Sequence, residues 1–196
     1  MKASKLASYL LHPIFMPLII FFISINYVDY FRLIFSDHAF SLLTMILAVS
    51  IIFPGALILI LLKFKKIESL QMKTRQERLM PLLFVFLSML IGSRFFNDIL
   101  LISPVLTSMY SSSLVILGIS NLITRYWKIS LHMTGIGAAT GTFIALNYIY
   151  GGLYYCSLLF LILSGILASS RLHEKIHNNL QIYLGFFFGF LCQTLF

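Results

Sequence analysis

Residues 40–62 read FSLLTMILAVSIIFPGALILILL, 23 consecutive positions without an ionisable side chain. A bilayer's hydrocarbon core, about 30 Å thick, needs roughly 20 apolar residues for each helical crossing, and this run has that length. Inside lipid only a helix or a closed barrel satisfies every backbone N–H and C=O; the run is unbroken rather than alternating, so a helix is expected. Working outward, similar runs predict helices over 8–28, 81–97, 104–125, 132–149, 153–170 and 177–195. The expected fold class is all-α, a polytopic transmembrane helical bundle of about seven helices. Six is the alternative, because Tyr150-Gly151-Gly152 is either a tight turn outside the membrane or a kink between half-spans.

Composition points the same way. Of the 196 residues 60% are apolar and 10% charged, too little polar surface to solvate a water-soluble globule, and no separate soluble domain fits. Residues 1–196 are expected to form one transmembrane domain. The opening MKASK and the apolar run after it, interrupted by His12, Pro13 and Pro17, lack a clear small-residue cleavage site and are read as a retained first helix. Cys156 and Cys192 lie in apolar spans without metal or CxxC spacing and are read as core thiols.

The net charge of +8 does not imply nucleic acid, because the cations sit in short loops between hydrophobic spans, where lipid headgroups are the nearer partner. With seven crossings, Lys2, Lys5, the segment Lys63 to Arg78, Arg125, Lys128, Arg171 and Lys175 share one face, against Arg32 and Arg94 opposite. The positive-inside rule makes the crowded face cytoplasmic and puts the C-terminus outside.

Three polar clusters fall on that face: Lys73-Thr-Arg75-Gln-Glu77-Arg78-Leu-Met-Pro81, Trp127-Lys128-Ile-Ser130-Leu-His132, and Ser170-Arg171-Leu-His173-Glu174-Lys175-Ile-His177-Asn-Asn-Leu-Gln181. Three basic loops, two with a histidine at a helix mouth, suggest an anion site equipped for proton transfer. The third cluster, S-R-x-x-x-x-x-H-x-x-x-Q, resembles the last signature of the type 2 phosphatidic acid phosphatase superfamily, S-R-x-x-x-x-x-H-x-x-x-D. The second, K-I-S-x-H, resembles that family's P-S-G-H, with Ile129 and Leu131 replacing proline and glycine. The first is only loosely like the family's K-x-x-x-x-x-x-R-P, since Arg78 lies three residues before Pro81; Lys128 is the alternative source of the family's lysine.

The resemblance covers roughly the last seventy residues and implies a lipid phosphate phosphatase without metal or cofactor, in a bacterial inner (cell) membrane, on an isoprenoid phosphate or pyrophosphate or a related lipid. By resemblance His177 is the nucleophile that becomes a phosphohistidine, and His132 protonates the leaving group. Arg171 and Lys128, with one or more of Lys73, Arg75 and Arg78, hold the phosphoryl group, helped by Ser130 and Ser170. The residue types suit this chemistry, since histidine titrates near working pH and arginine's planar fork gives a bidentate clamp. Gln181 replaces the family's aspartate; its carbonyl still orients the imidazole, and Glu77 or Glu174 is a candidate for the missing charge, although Glu174 also reads as a solvated loop residue. His12, His38 and His173 fall outside the motif positions and are given less weight. Gly185 and Gly189 follow His177 and Gln181 at i+4 spacing, and Gly137 and Gly141 lie below His132, so the two histidine-bearing helices are expected to pack together. The rival expectation is a membrane protein that binds or transports lipid phosphates without chemistry.

Overall fold

The computed structural model describes residues 3–68, 72 and 74–195, and all regular secondary structure among them is helical. The helices are α1 (Ala3–Leu10), α2 (Met16–Tyr27), α3 (Asp29–Phe35), α4 (Ala39–Leu47), α5 (Phe53–Lys63), α6 (Arg75–Phe95), α7 (Asn97–Leu101), α8 (Pro104–Tyr126), α9 (Leu131–Tyr150), α10 (Tyr154–His173) and α11 (Asn179–Leu195). Five stretches are long and apolar enough to cross a membrane: Leu6–Tyr27, Ala39–Lys63, Arg75–Phe95, Pro104–Tyr126 and Tyr154–His173. The chain is therefore a multi-pass integral membrane protein. Of the other two helices expected to cross, α11 has 17 residues, and α9 has 20 but is rich in glycine and threonine.

Local chemistry explains where the observed helices depart from the expected ones. The first run is broken, with α1 ending at Leu10 and a 3-10 turn, Pro13–Phe15, joining it to α2. The stretch over 40–62 is α4 and α5 joined by a π-helical turn, Ala48–Ile52. In that wider register the Val49 carbonyl would look to residue 54, a proline without an N–H, and Ser88 Oγ donates to it instead at 3.3 Å. Helix α6 begins at Arg75 rather than at Pro81, because Thr74 Oγ1 accepts from the Glu77 N–H at 3.4 Å and starts the helix more than a turn early. Arg75 and Arg78 are thus helical residues. The Gly151–Gly152 break is a turn, with both glycines at positive φ (72° and 81°), and a Cβ on Gly152 would sit 2.8 Å from the Tyr27 carbonyl oxygen.

Helix α9 is the central element, with Ile136, Ala139, Thr140 and Phe143 fully buried. Its most extensive partner is α11, which runs parallel to it. Their backbones touch through glycine: a Cβ on Gly137 would fall on the Phe186 carbonyl, one on Gly141 on the Phe190 carbonyl, and one on Gly189 on the Thr134 carbonyl. Without a hydrophobic drive between helices in lipid, such close approach supplies the packing. Gly189→Ala is therefore expected to destabilise the protein by about 3 kcal/mol, since the obstacle is backbone that cannot rotate away. Gly165→Ala, where nothing lies within 4 Å, is expected to be neutral or slightly stabilising. Thermal unfolding of the two variants in one detergent checks the contrast; equal midpoints would contradict the packing.

This pairing aligns the N-termini of α9 and α11 at one end of the bundle. Gly185 lies against the Ser130 carbonyl, and His177 precedes the start of α11 at that same end. Cα–Cβ bonds tilt toward a helix N-terminus, so His132 leans toward the same end. At the other end Tyr30 stacks on Tyr150 with centroids 4.6 Å apart, and its hydroxyl meets Ser103 Oγ at 3.0 Å.

Candidate phosphate site

The charged end is assembled from four segments. From α6 comes Arg78, 6% exposed, whose Nε donates to the Met72 carbonyl at 2.9 Å. From the α8–α9 connection comes Lys128, whose Nζ donates to the Ile176 carbonyl at 3.2 Å. Partial burial, and then the charges of Arg78 and Arg171, push Lys128 below its ordinary range. From the last turn of α10 comes Arg171, also 6% exposed, with NH1 at 3.5 Å from Glu174 Oε2 and 3.4 Å from Ser8 Oγ. Its Nε has no partner among the described residues, nor do the buried Glu174 Oε1, Glu77 Oε2 and Ser130 Oγ. Glu174, its side chain 14% exposed, is thus a largely covered counter-charge to Arg171 rather than a solvated loop residue.

From the α10–α11 loop comes His177, held by the start of α11. Asn178 Oδ1 accepts from the Gln181 N–H at 2.9 Å, while Gln181 Oε1 reaches back to the Asn178 N–H at 3.3 Å, a reciprocal cap. The same oxygen takes His177 Nδ1 at 2.9 Å. An oxygen that accepts a backbone N–H must also accept from the imidazole, so the neutral ring carries its proton on Nδ1 and leaves the Nε2 lone pair free. The partner of this ring is Gln181, and neither Glu77 nor Glu174 takes that place.

His177 is pushed down from 6.5 to about 3, chiefly by burial; the Gln181 bond partly offsets this, and the charges of Arg78, Arg171 and Lys128 add to it. The unfolded chain takes up this proton near pH 6.5 and the folded chain only near 3, so the stabilising contribution is complete above 6.5 and is lost as pH falls through that window. The slope is at most about 1.4 kcal/mol per pH unit. Unfolding measured between pH 7 and 4 is expected to show this loss in the wild type and less of it in His177→Gln; the same slope in both would place the titration elsewhere.

His132 donates from Nε2 to the Ser8 carbonyl at 3.2 Å, which leaves Nδ1 as its free nitrogen. His12 packs edge-on against it, ring centroids 4.9 Å apart. Arg78, Lys128, Arg171, His132 and His12, with His173, Glu174 and Lys175, line one end of a single cavity of about 1290 Å³. The rest of that cavity is largely apolar and runs along Phe21, Met45, Val49, Leu82, Met89 and Ile116.

Compared with family models, curated proteins and solved structures, the chain matches none.

The remaining candidates have other positions. His177 and Gln181 are not part of the cavity wall; Arg78, Arg171 and Lys128 link them to it, since these line the cavity and their charges bear on His177. Ser130 is fully buried beside the wall. Ser170 Oγ donates to the Ser4 carbonyl at 2.6 Å and meets Ser8 Oγ at 3.1 Å, so it fastens α1 to α10. Arg75 NH1 donates to the Tyr126 carbonyl at 2.7 Å, closing the C-terminus of α8, a favourable place for a cation. Lys73 lies outside the described residues. The motifs did not single out Ser8 and His12, which belong to α1 and its connection to α2; the only hint was a histidine–proline pair interrupting an apolar run.

Proposed function

We propose that this protein is a membrane phosphatase of lipid phosphates, a divergent relative of the type 2 phosphatidic acid phosphatases. One observation carries the reading: a cavity whose polar end holds four cations, Arg78, Lys128, Arg171 and Lys175, against one carboxylate, Glu174, while the remainder is largely apolar. Among the described residues Arg171 is the one of these four cations with a carboxylate partner, Glu174 at 3.5 Å, and the charge of Glu77 bears on Arg78. Cations that outnumber the carboxylates beside them suit an anion, and the N-terminus of α9, which follows Lys128, adds partial positive charge there. A phosphorylated headgroup on a hydrocarbon tail satisfies both parts of the cavity.

In the proposed reaction the phosphoryl oxygens take the Arg171 and Arg78 guanidiniums and draw Lys128 Nζ from the Ile176 carbonyl, next to His177. His177 Nε2 attacks phosphorus, and Gln181 stabilises the Nδ1–H as the ring becomes charged. The P–O bond to the lipid breaks, and the proton goes to the leaving oxygen from His132 Nδ1, which is protonated once the phosphate dianion is bound. Water, or another lipid hydroxyl, then takes the phosphoryl group from His177 as the N–P bond breaks, and gives its proton to His132 Nδ1. In the same reading α9 and α11 also cross the membrane, giving seven crossings in a bacterial inner membrane, with the site at the cytoplasmic face. An isoprenoid phosphate or pyrophosphate fits a lumen lined by branched and aromatic side chains.

A second reading, a lipid-phosphate-binding or transport protein without catalysis, is favoured by the position of His177 outside the cavity wall. Phosphate release by the purified protein from phosphatidic, isoprenoid monophosphate and isoprenoid pyrophosphate lipids, with and without chelator, separates the two. Release that persists in chelator is expected. Binding without release from any lipid would favour the second reading.

A further inference from the structure

We propose that His12 is an additional ligand-binding residue of this site, a neutral imidazole whose Nε2–H donates to an oxygen of the phosphate headgroup. The proposal rests on the reading of the cavity's charged end as a phosphate site, but not on catalysis there.

The position of the ring follows from the break between α1 and α2. His12 precedes the 3-10 turn Pro13–Phe15, and its Nδ1 accepts from the Ile14 N–H at 3.3 Å. A ring nitrogen that accepts is unprotonated, so the neutral imidazole carries its hydrogen on Nε2. Among the described residues no acceptor meets that N–H, and the ring lines the charged end of the cavity. Its neighbours are the edge of His132, at 4.9 Å between centroids, and the Arg171 guanidinium, which is within electrostatic reach. Arg171 Nε is itself a buried donor without a partner among the described residues. Two unpaired N–H donors, one from the α1–α2 connection and one from α10, in a corner where cations dominate, suit an oxygen ligand bearing negative charge. A neutral donor suits a position beside Arg171, because it adds a hydrogen bond without adding a like charge.

The bland alternative is that His12 only caps the 3-10 turn. Substitutions separate the two functions of the ring. In His12→Asn the side-chain oxygen is placed to accept from the Ile14 N–H, but the amide does not reach the position of Nε2. In His12→Gln the amide nitrogen comes close to the Nε2 position and can donate, while the cap is weakened. Binding of inorganic phosphate and of dioctanoyl phosphatidic acid to the purified full-length protein in detergent is the measurement, with thermal unfolding of each variant alongside it. His12→Asn is expected to keep the wild-type midpoint and to bind both ligands roughly ten-fold to a hundred-fold more weakly, the range for a hydrogen bond to a charged group. His12→Gln is expected to bind better than His12→Asn, whatever its midpoint.

Wild-type affinity in both variants, or affinity that follows the midpoint rather than the donor, would overturn the proposal. A loss confined to the lipid would overturn it as well, since the contact would then lie outside the phosphoryl oxygens. If the wild type binds neither ligand, the phosphate-site reading fails and this proposal with it. If it binds both, releases no phosphate, and His12→Asn still loses affinity, the role of His12 stands and only the catalytic reading fails.

Discussion

Replacing His177 by glutamine is expected to lower phosphate release by roughly four orders of magnitude or more, the scale seen when a covalent nucleophile is removed. The substitution isolates chemistry from folding. The reciprocal cap at the start of α11 is made by Asn178 and Gln181 and does not need the imidazole. What is lost is the Nε2 lone pair, which an amide cannot replace, while the cations that hold the phosphate remain. Binding of a lipid phosphate should therefore survive in His177→Gln even though turnover does not. Turnover assays paired with binding measurements test this; substantial release by the variant would show that phosphorus is attacked by something else.

The second large effect is expected at Arg171. Arg171→Lys keeps the charge beside Glu174 but removes the planar fork and its Nε donor, which has no partner among the described residues. Loss of one preorganised donor to a transition state costs roughly 100-fold to 1,000-fold in rate, and that loss is expected in kcat/KM. Arg171→Leu is a less informative variant, because it leaves the Glu174 carboxylate, whose side chain is 14% exposed, without a cation, and the fold would suffer. Near-wild-type rates in Arg171→Lys would mean that the guanidinium is structural, tied to Ser8 and Glu174 alone.

How much of this was legible in the sequence depended on whether the deciding interaction was local. The apolar runs located the long helices because lipid imposes a length on each crossing. They could not show α3, seven residues long, which is held by the burial of Phe31 and Phe35 against other helices. The proline at 81 suggested a helix start that the Thr74–Glu77 cap places earlier, so that Pro81 lies inside α6 and offers the Glu77 carbonyl no helical N–H. The glycine spacing correctly paired α9 with α11, because close backbone approach needs small residues at regular intervals.

The site was legible in the same uneven way. Motif order brought Arg171, Lys128 and His132 toward one end of the chain's fold, but spacing does not reveal the direction in which a side chain bonds. Ser170 and Arg75 look like phosphate ligands in sequence and are committed to the backbone of α1 and α8. Gln181 looks like a defect in a catalytic signature, yet its one oxygen both caps α11 and sets the His177 tautomer. The thiols of Cys156 and Cys192 are half-buried rather than deep in the core. The contribution of α1 and of the connection after it, through the Ser8 carbonyl to His132 and through His12, is tertiary, and its trace in the sequence is the His12-Pro13 pair that interrupts an apolar run.

The proposed mechanism turns on His177 carrying the phosphoryl group. The most direct measurement is rapid acid-free quenching of the purified protein with a 32P-labelled lipid phosphate, followed by denaturing separation. Label on the protein that is stable in base and labile in acid is expected in the wild type and should be absent in His177→Gln. Phosphate release with no label on the protein at any time point, or label that persists in His177→Gln, would contradict the mechanism.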